Sequence, residues 1–149
     1  MKFLCDEMLG TLAKWLRILG YDTAYAKQMN DEEIINMARK EGRIVITRDK
    51  LLARKADESL YIEEKELEKQ LKKVVEYFNL EIGENILSRC TICNIPVERI
   101  KKEEAKGKVP EYVWEHTEIF WRCKKCGRIY WLGSHWQNME EMIKRIEEE

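Results

Sequence analysis

The sequence lacks a long apolar run, an excess of charge of either sign, and an apolar leader. No apolar stretch approaches the roughly 20 residues that a membrane-spanning helix needs. The first apolar run, Phe3–Cys5, is already interrupted by Asp6. We therefore expect no membrane span, no signal peptide, and a cytoplasmic location in which thiols stay reduced. The net charge of −1 excludes a chain that attracts nucleic acid by overall positive charge.

Aspartate and cysteine divide the 149-residue chain into two parts. All five aspartates lie within the first 57 residues, whereas four of the five cysteines lie beyond Ser88. A hydrophobic fraction of 44% is enough for a packed core, and the length suits one domain with a small appended module. We therefore predict an α/β domain over 1–80 and a cysteine-containing module over 85–149.

The first part alternates short apolar runs with amphipathic segments. The run Ile44–Ile46 is β-branched throughout, which is typical of a strand buried on both faces of a parallel sheet. Asn30 and Glu33 form a capping-box pattern at the start of a helix that Gly42 ends. The patterns predict strands over 2–5, 22–26, 44–46 and 59–62, and helices over 8–19, 31–41, 50–55 and 63–78. This alternation favours a parallel, doubly wound α/β sheet.

Three aspartates follow predicted strands. Asp6 comes after the first strand and Asp49 after the third, while Asp31 opens the helix that follows the second. The carboxyl ends of parallel strands share one edge of the sheet, where open α/β folds place their ligands. Neighbouring carboxylates repel unless a cation joins them, so we expect a Mg²⁺ or Mn²⁺ site that includes Asp6 and Asp49. The alternative for Asp49 and Asp31 is that they only start helices.

A divalent metal at such an edge favours hydrolysis of phosphodiesters. It lowers the pKa of a bound water and stabilises the charge that develops on the phosphorus oxygens. Lys14, Arg17 and Arg48 are candidates to bind the phosphates of a nucleic acid. Their alternative role is ordinary surface charge, or an ion pair with one of the aspartates.

Two C-x-x-C pairs are the strongest motif in the second part. Cys90 and Cys93 precede Cys123 and Cys126 by 29 intervening residues. Two such pairs complete a tetrahedral thiolate cage, and zinc is the ion expected in a structural site of four thiolates. The alternatives are four free or disulfide-bonded cysteines and a [4Fe–4S] cluster. His116 and His135 are ligand candidates only if a cysteine is not used, and Cys5 is predicted to be a core residue.

The second part is rich in aromatic residues. We predict strands over 118–122 and 128–132 beside the second C-x-x-C pair, and an amphipathic helix over 138–149. The aromatic rings build a small core in one interpretation and stack on unpaired bases in the other. They are Trp114, Phe120, Trp121, Tyr130, Trp131 and Trp136.

These motifs resemble the Mut-seven C-terminal RNase domain family. The resemblance covers essentially the whole chain and is carried by Asp6, L-G-T-L-A-K-W-L-R-I-L-G-Y-D at 9–22, Asp31, V-I-T-R-D at 45–49 and C-G-R-I-Y-W-L-G-S-H-W at 126–136. It implies a PIN-like α/β nuclease domain followed by a zinc ribbon, acting on RNA, with Asp6, Asp31 and Asp49 as acidic site residues. PIN-like nucleases often supply a fourth acid. Here Asp57 precedes the fourth predicted strand and Glu63 follows it, so neither matches clearly.

Two other functions fit parts of the pattern. In a non-catalytic RNA-binding adaptor, the ribbon binds RNA and the acidic edge is vestigial. In a receiver-like phosphoacceptor domain, Asp6, Glu7 and Asp49 would form the acidic pocket, and a lysine is needed just after a late strand. Lys65 is the only nearby candidate for that lysine.

Overall fold

The fold begins with a parallel sheet of four strands, as seen in a computed structural model that describes residues 1–83, 85–133 and 136–148, with residues 136 and 137 in backbone only. The strands are β1 (Lys2–Cys5), β2 (Asp22–Tyr25), β3 (Ile44–Thr47) and β4 (Ser59–Tyr61). Their order is β2-β1-β3-β4, and every neighbouring pair is parallel. The predicted α/β architecture is confirmed.

Helices cover both faces of this sheet. They are α1 (Gly10–Ile18), α2 (Asp31–Glu41), α3 (Lys50–Lys55) and α4 (Leu67–Phe78). Successive strand residues point to opposite faces, so Phe3 and Cys5 pack with α1 and α4, whereas Leu4 packs with α2 and α3. This two-sided burial explains why the strands are apolar throughout.

Two of the predicted helices begin later than expected. The predicted helix 8–19 opens with a 3₁₀ turn, Glu7–Leu9, because the Asp6 carboxylate accepts a hydrogen bond from the Met8 amide. The predicted helix 63–78 starts only at Leu67. There the Ile62 amide still bonds to the Thr47 carbonyl of the sheet, and the Gln70 side chain holds the Glu64 carbonyl, which keeps the intervening residues out of the helix.

A second, antiparallel sheet forms the ribbon. Its strands are β5 (Glu98–Ile100), β6 (Phe120–Arg122) and β7 (Ile129–Tyr130). The two predicted strands are therefore shorter than expected, and β5 was not predicted. Two short helices, α5 (Lys102–Ala105) and α6 (Glu111–His116), lie between β5 and β6.

Aromatic side chains of the ribbon mainly build its core. Phe120 is fully buried with Ile100, Ala105 and Ile129, and Trp114 and Trp131 pack against this cluster. The indole of Trp114 donates a hydrogen bond to the Lys102 carbonyl. The core interpretation of these rings is thereby favoured over base stacking, while the side chain of Trp136 and all of His135 lie outside the described residues.

The last helix, α7 (Trp136–Glu147), packs on the α/β core rather than on the ribbon. Ile143 and Ile146 are buried among residues of β1, α1 and α4. Arg145 pairs with Glu68 of α4 at the rim of this contact. The division into 1–80 and 85–149 stays a prediction, but α7 belongs to the first core by its contacts. Within the described ranges, no helix is long and apolar enough to cross a membrane.

This packing makes a prediction about stability. Replacing Ile146, which is 2% exposed, by alanine is expected to lower the free energy of unfolding by about 2–4 kcal/mol, because it leaves a cavity between α7 and α4. Urea denaturation followed by circular dichroism measures the change. Glu140→Ala, at an exposed position of the same helix, serves as the control and should stay within about 0.5 kcal/mol. An equal free energy of unfolding for Ile146→Ala and wild type would show that α7 does not contribute to the core.

Candidate functional site

Asp6 is a nearly buried carboxylate at the carboxyl edge of the parallel sheet. Its amide continues the β1–β3 ladder by bonding to the Ile46 carbonyl, and the residue is 7% exposed. Oδ1 accepts a hydrogen bond from the Met8 amide, whereas Oδ2 accepts from the Thr47 hydroxyl and the Arg48 amide. The carboxylate is therefore held in one orientation by three donors from the ends of two adjacent strands.

The backbone of Asp49 is connected to the Asp6 carboxylate through one side chain, that of Thr47. The Thr47 hydroxyl that donates to Asp6 accepts a hydrogen bond from the Asp49 amide, 2.9 Å away. Oδ1 of Asp49 caps α3 by accepting from the Leu51 and Leu52 amides. The capping role is thus real, but it occupies one oxygen. Asp49 is exposed, and no described residue donates a hydrogen bond to its Oδ2.

Asp31 lies at the start of the helix that follows β2, at the same edge of the sheet. It is the first residue of α2, and Asn30 rather than Asp31 provides the cap. The loop before α2 is fixed to the end of β1, because the Glu7 carboxylate accepts a hydrogen bond from the Gln28 amide. The side chain of Asp31 is half-buried.

The three aspartates do not form a closed metal cage. In the described part of the chain, the cysteine cluster is the one group of three or more metal-ligating side chains whose ligand atoms lie within 4.8 Å of one another. The aspartates are therefore not gathered that closely. Magnesium and manganese need no such cage, because they commonly keep several waters and bind through one or two carboxylates together with substrate phosphates. Asp6 and Asp49 are the two carboxylates of this edge that would hold an ion in a site of that kind.

The three predicted phosphate-binding residues lie in different places. Arg48 extends from the acidic edge toward the end of β4, where its Nη2 donates to the Glu63 carbonyl, while its buried Nε has no hydrogen-bond partner among the described residues. Lys14 is exposed and lines a cleft between α1 and the ribbon. Arg17 lies near the amino end of β2, away from the carboxyl edge, where its Nε donates to the Thr23 carbonyl. Of the three, only Arg48 adjoins the aspartates.

The four cysteines converge as a structural zinc site requires. Their sulfurs lie within 4.8 Å of one another, and the Sγ atoms of Cys90 and Cys126 are 3.8 Å apart. A tetrahedron with Zn–S bonds of about 2.3 Å has edges of about 3.8 Å, so the separation suits zinc. The C-x-x-C turns match: the Asn94 amide bonds to the Cys90 carbonyl, and the Gly127 amide bonds to that of Cys123. Asn94 and Gly127 both adopt the left-handed conformation that closes such a turn.

The thiols of the first pair have opposite proton affinities. Burial raises the pKa of Cys90, but hydrogen bonds from the Tyr130 hydroxyl and from backbone amides outweigh it and lower the pKa to about 6. Burial and hydrogen bonds to the neighbouring sulfurs raise the pKa of Cys93 to about 12. Four thiolates this close together repel one another unless a cation joins them, and zinc is the ion that suits a site of four thiolates. Burial in the core of the parallel sheet also raises the pKa of Cys5 above its usual range, which keeps it a neutral thiol.

The first C-x-x-C turn, Cys90–Asn94, is bound directly to the α/β domain. Nη1 of Arg17 donates to the carbonyls of Thr91 and Ile92, which lie between the two cysteines of the turn. The Asn94 side chain accepts from the Thr23 amide and donates to the Asp22 carboxylate. Gly20 allows close approach nearby, because a Cβ atom at this position would collide with the Asn85 backbone. The ribbon is thus held by polar contacts at the amino edge of β2.

The pKa of Asp22 reflects this docking. Burial raises the pKa, but hydrogen bonds from Arg43 and Asn94 outweigh it and hold the pKa below its usual range. The ionised carboxylate therefore supports the contact above the ordinary pKa of an aspartate, and the support is lost as the pH falls through the lower value of the folded chain.

Two residues that organise these sites belong to no motif recognised in the sequence. Thr47 links Asp6 to the Asp49 backbone, and its position directly before Arg48-Asp49, at the end of an apolar strand, was the available signal. Asn94 joins the first C-x-x-C turn to β2. The available signal was that Asn94 occupies the turn position that Gly127 occupies in the second pair. Glycine has no side chain, whereas that of asparagine can bind another element.

Comparison with known proteins finds a family match. No curated protein and no solved structure is similar to the chain. The sequence model of the Mut7-C RNAse domain matches residues 1–143, which include the acidic edge and all four clustered cysteines. This match confirms the resemblance seen in the sequence and suggests a ribonuclease-like function. The chain belongs to the Mut7-C RNAse domain family.

Proposed function

We propose that the protein is a ribonuclease that hydrolyses RNA phosphodiester bonds with Mg²⁺ or Mn²⁺. The observation that supports this most strongly is the pair of carboxylates at adjacent strand ends, Asp6 and Asp49, joined through Thr47. Asp6 is rigid and nearly buried, whereas Asp49 is exposed and keeps one oxygen clear of the helix cap. A fixed ligand beside an accessible one suits a metal that must also contact a substrate phosphate.

The residues at the edge have separate roles in this proposal. Asp6 and Asp49 hold the divalent ion, and Asp31, at the start of α2, orients water or completes the acidic site. When bound, the metal lowers the pKa of a water and neutralises charge on the phosphate oxygens. The guanidinium of Arg48, whose backbone amide donates to Asp6, adds a positive charge beside the aspartates that attracts the substrate phosphate.

The zinc ribbon has a supporting role. Its first turn is bound by Arg17 and Asn94 to the edge of the sheet opposite the aspartates, so the zinc lies outside the proposed catalytic centre. We propose that zinc stabilises the ribbon and that the ribbon contributes to RNA binding through the cleft that Lys14 lines. A cytoplasmic, reducing location is part of this proposal, because it keeps the four thiols available for zinc.

A metal titration tests the proposal. Zinc-containing protein is incubated with defined single-stranded and hairpin RNAs without added metal, and then with increasing Mg²⁺ or Mn²⁺. We expect no cleavage without the added ion and saturable cleavage with it, since the open acidic edge needs a cation to act. Electrophoresis of end-labelled RNA measures the rate. RNA that is bound but never cut at any metal concentration would instead favour the non-catalytic adaptor.

A further inference from the structure

A groove of about 600 Å³ runs along the free side of the edge strand β4. One wall comes from α3, through Lys50 and Arg54, and the other comes from α4, through Lys73 and Tyr77. Tyr61 of β4 lies in the floor. None of these five residues belongs to a motif to which the sequence gives a role.

The charge of the groove suits a polyanion. The residues that line it include three bases and no acid. Lys73 is partly neutralised by Glu64, whose carboxylate is 3.2 Å from its Nζ, but Lys50 and Arg54 are exposed, and Arg54 has no ion pair within the described chain. A chain with a net charge of −1 has little general attraction for nucleic acid, so a local basic groove stands out against it.

Aromatic rings accompany this charge. Tyr77 is 64% exposed and is supported at its edge by Phe78, with ring centroids 4.8 Å apart. The Nζ of Lys50 lies 5.7 Å from the centre of the Tyr61 ring. Rings beside a basic backbone track are the combination by which proteins bind unpaired bases without reading their sequence.

The groove is continuous with the acidic edge. Tyr61 is the register partner of Thr47, the residue that joins Asp6 to Asp49. Lys50 follows Asp49 directly, and Arg48 crosses to the Glu63 carbonyl just beyond β4. A strand of nucleic acid with one phosphate at the aspartates can therefore continue into the groove without crossing another element.

We propose that this groove binds the single-stranded RNA that flanks the bond to be cleaved, with phosphates at Lys50 and Arg54 and a base stacked on Tyr77. The inference rests on the proposed function, because it takes the aspartates as the place of cleavage. It identifies the substrate class as single-stranded RNA and predicts weak dependence on base sequence, since stacking and backbone charge carry no base code.

Binding measurements on the full chain test the charge component. The double variant Lys50→Gln/Arg54→Gln is compared with Lys2→Gln/Lys40→Gln. The second variant removes the same charge from the start of β1 and the end of α2, at the amino ends of the strands. Fluorescence anisotropy with a labelled mixed-sequence oligoribonucleotide, without added divalent metal, gives Kd as a function of salt. We expect the groove variant to bind about tenfold more weakly and to lose about 1.4 from the log–log salt slope, because two phosphate contacts on a single strand are removed. The matched variant should bind like wild type.

The stacking component has its own variants. Tyr77→Ala is expected to raise Kd at least about fivefold, whereas Tyr77→Phe, which keeps the ring, should restore wild-type binding. Equal weakening in both charge variants, no weakening in the groove variant, or no RNA binding by wild type would each overturn the inference. RNA that binds through the groove but is not cut would overturn the proposed function alone. RNA that is cut with unchanged kcat/KM by the groove variants would overturn the groove alone.

Discussion

Asp49→Asn is expected to reduce Mn²⁺-dependent RNA cleavage by at least about a hundredfold, because a neutral amide cannot neutralise or hold the metal as a carboxylate does. The fold should survive the change. Oδ1 of Asp49 caps α3 through the Leu51 and Leu52 amides, and asparagine caps helices about as well as aspartate. We therefore expect the melting temperature of the metal-free variant to stay within about 2 °C of wild type.

The surroundings of the two aspartates make this variant more informative than Asp6→Asn. Asp6 is 7% exposed and receives three hydrogen bonds, so an amide there would face a donor with its own NH₂ group and disturb the fold. Asp57→Asn is the matched control, since it removes an exposed carboxylate that pairs with Arg39 and should leave cleavage unchanged. Undiminished cleavage by Asp49→Asn would remove this residue from the site.

Cys123→Ser is expected to abolish zinc binding and to unfold the ribbon while the parallel sheet survives. A thiolate cage contributes folding energy directly, and the ribbon core around Phe120 is separate from the core beneath α1 and α4. Loss of the ordered first turn also removes the acceptors of Arg17, so the α/β part should lose about 1–3 kcal/mol of stability. Elemental analysis should find about one zinc per wild-type chain and none in the variant.

Hydrogen exchange with mass spectrometry locates the effect. Protection should disappear over 90–130 and persist over β1, β3 and α7, because α7 packs on the α/β core. Cys5→Ala, which alters a buried thiol of that core, is the control and should retain its zinc. Wild-type protein that is purified without chelator and contains no zinc, or a variant that loses protection throughout the chain, would contradict the prediction.

Signals that act within one or two turns were read correctly from the sequence. The capping box of Asn30 and Glu33 and the left-handed Gly42 delimit α2, and Lys50–Lys55 forms the helix that was predicted. Strand β5 was not predicted, because a three-residue strand with two charged members has no periodicity. Its pairing with β6, on the far side of α5 and α6, is what makes it a strand.

The sequence by itself determined the alternation of parallel strands and helices, the set of four cysteines, and the positions of Asp6 and Asp49 directly after strands, because these depend on residue type and short spacing. Only the tertiary structure decided that Arg17 binds the first C-x-x-C turn rather than approaching the aspartates. It also decided that α7 completes the core of the α/β domain and that β4 borders a basic groove. The physical reason is separation along the chain. Arg17 meets Thr91 across 74 residues, and no local pattern of charge or hydrophobicity specifies which distant backbone a guanidinium will find.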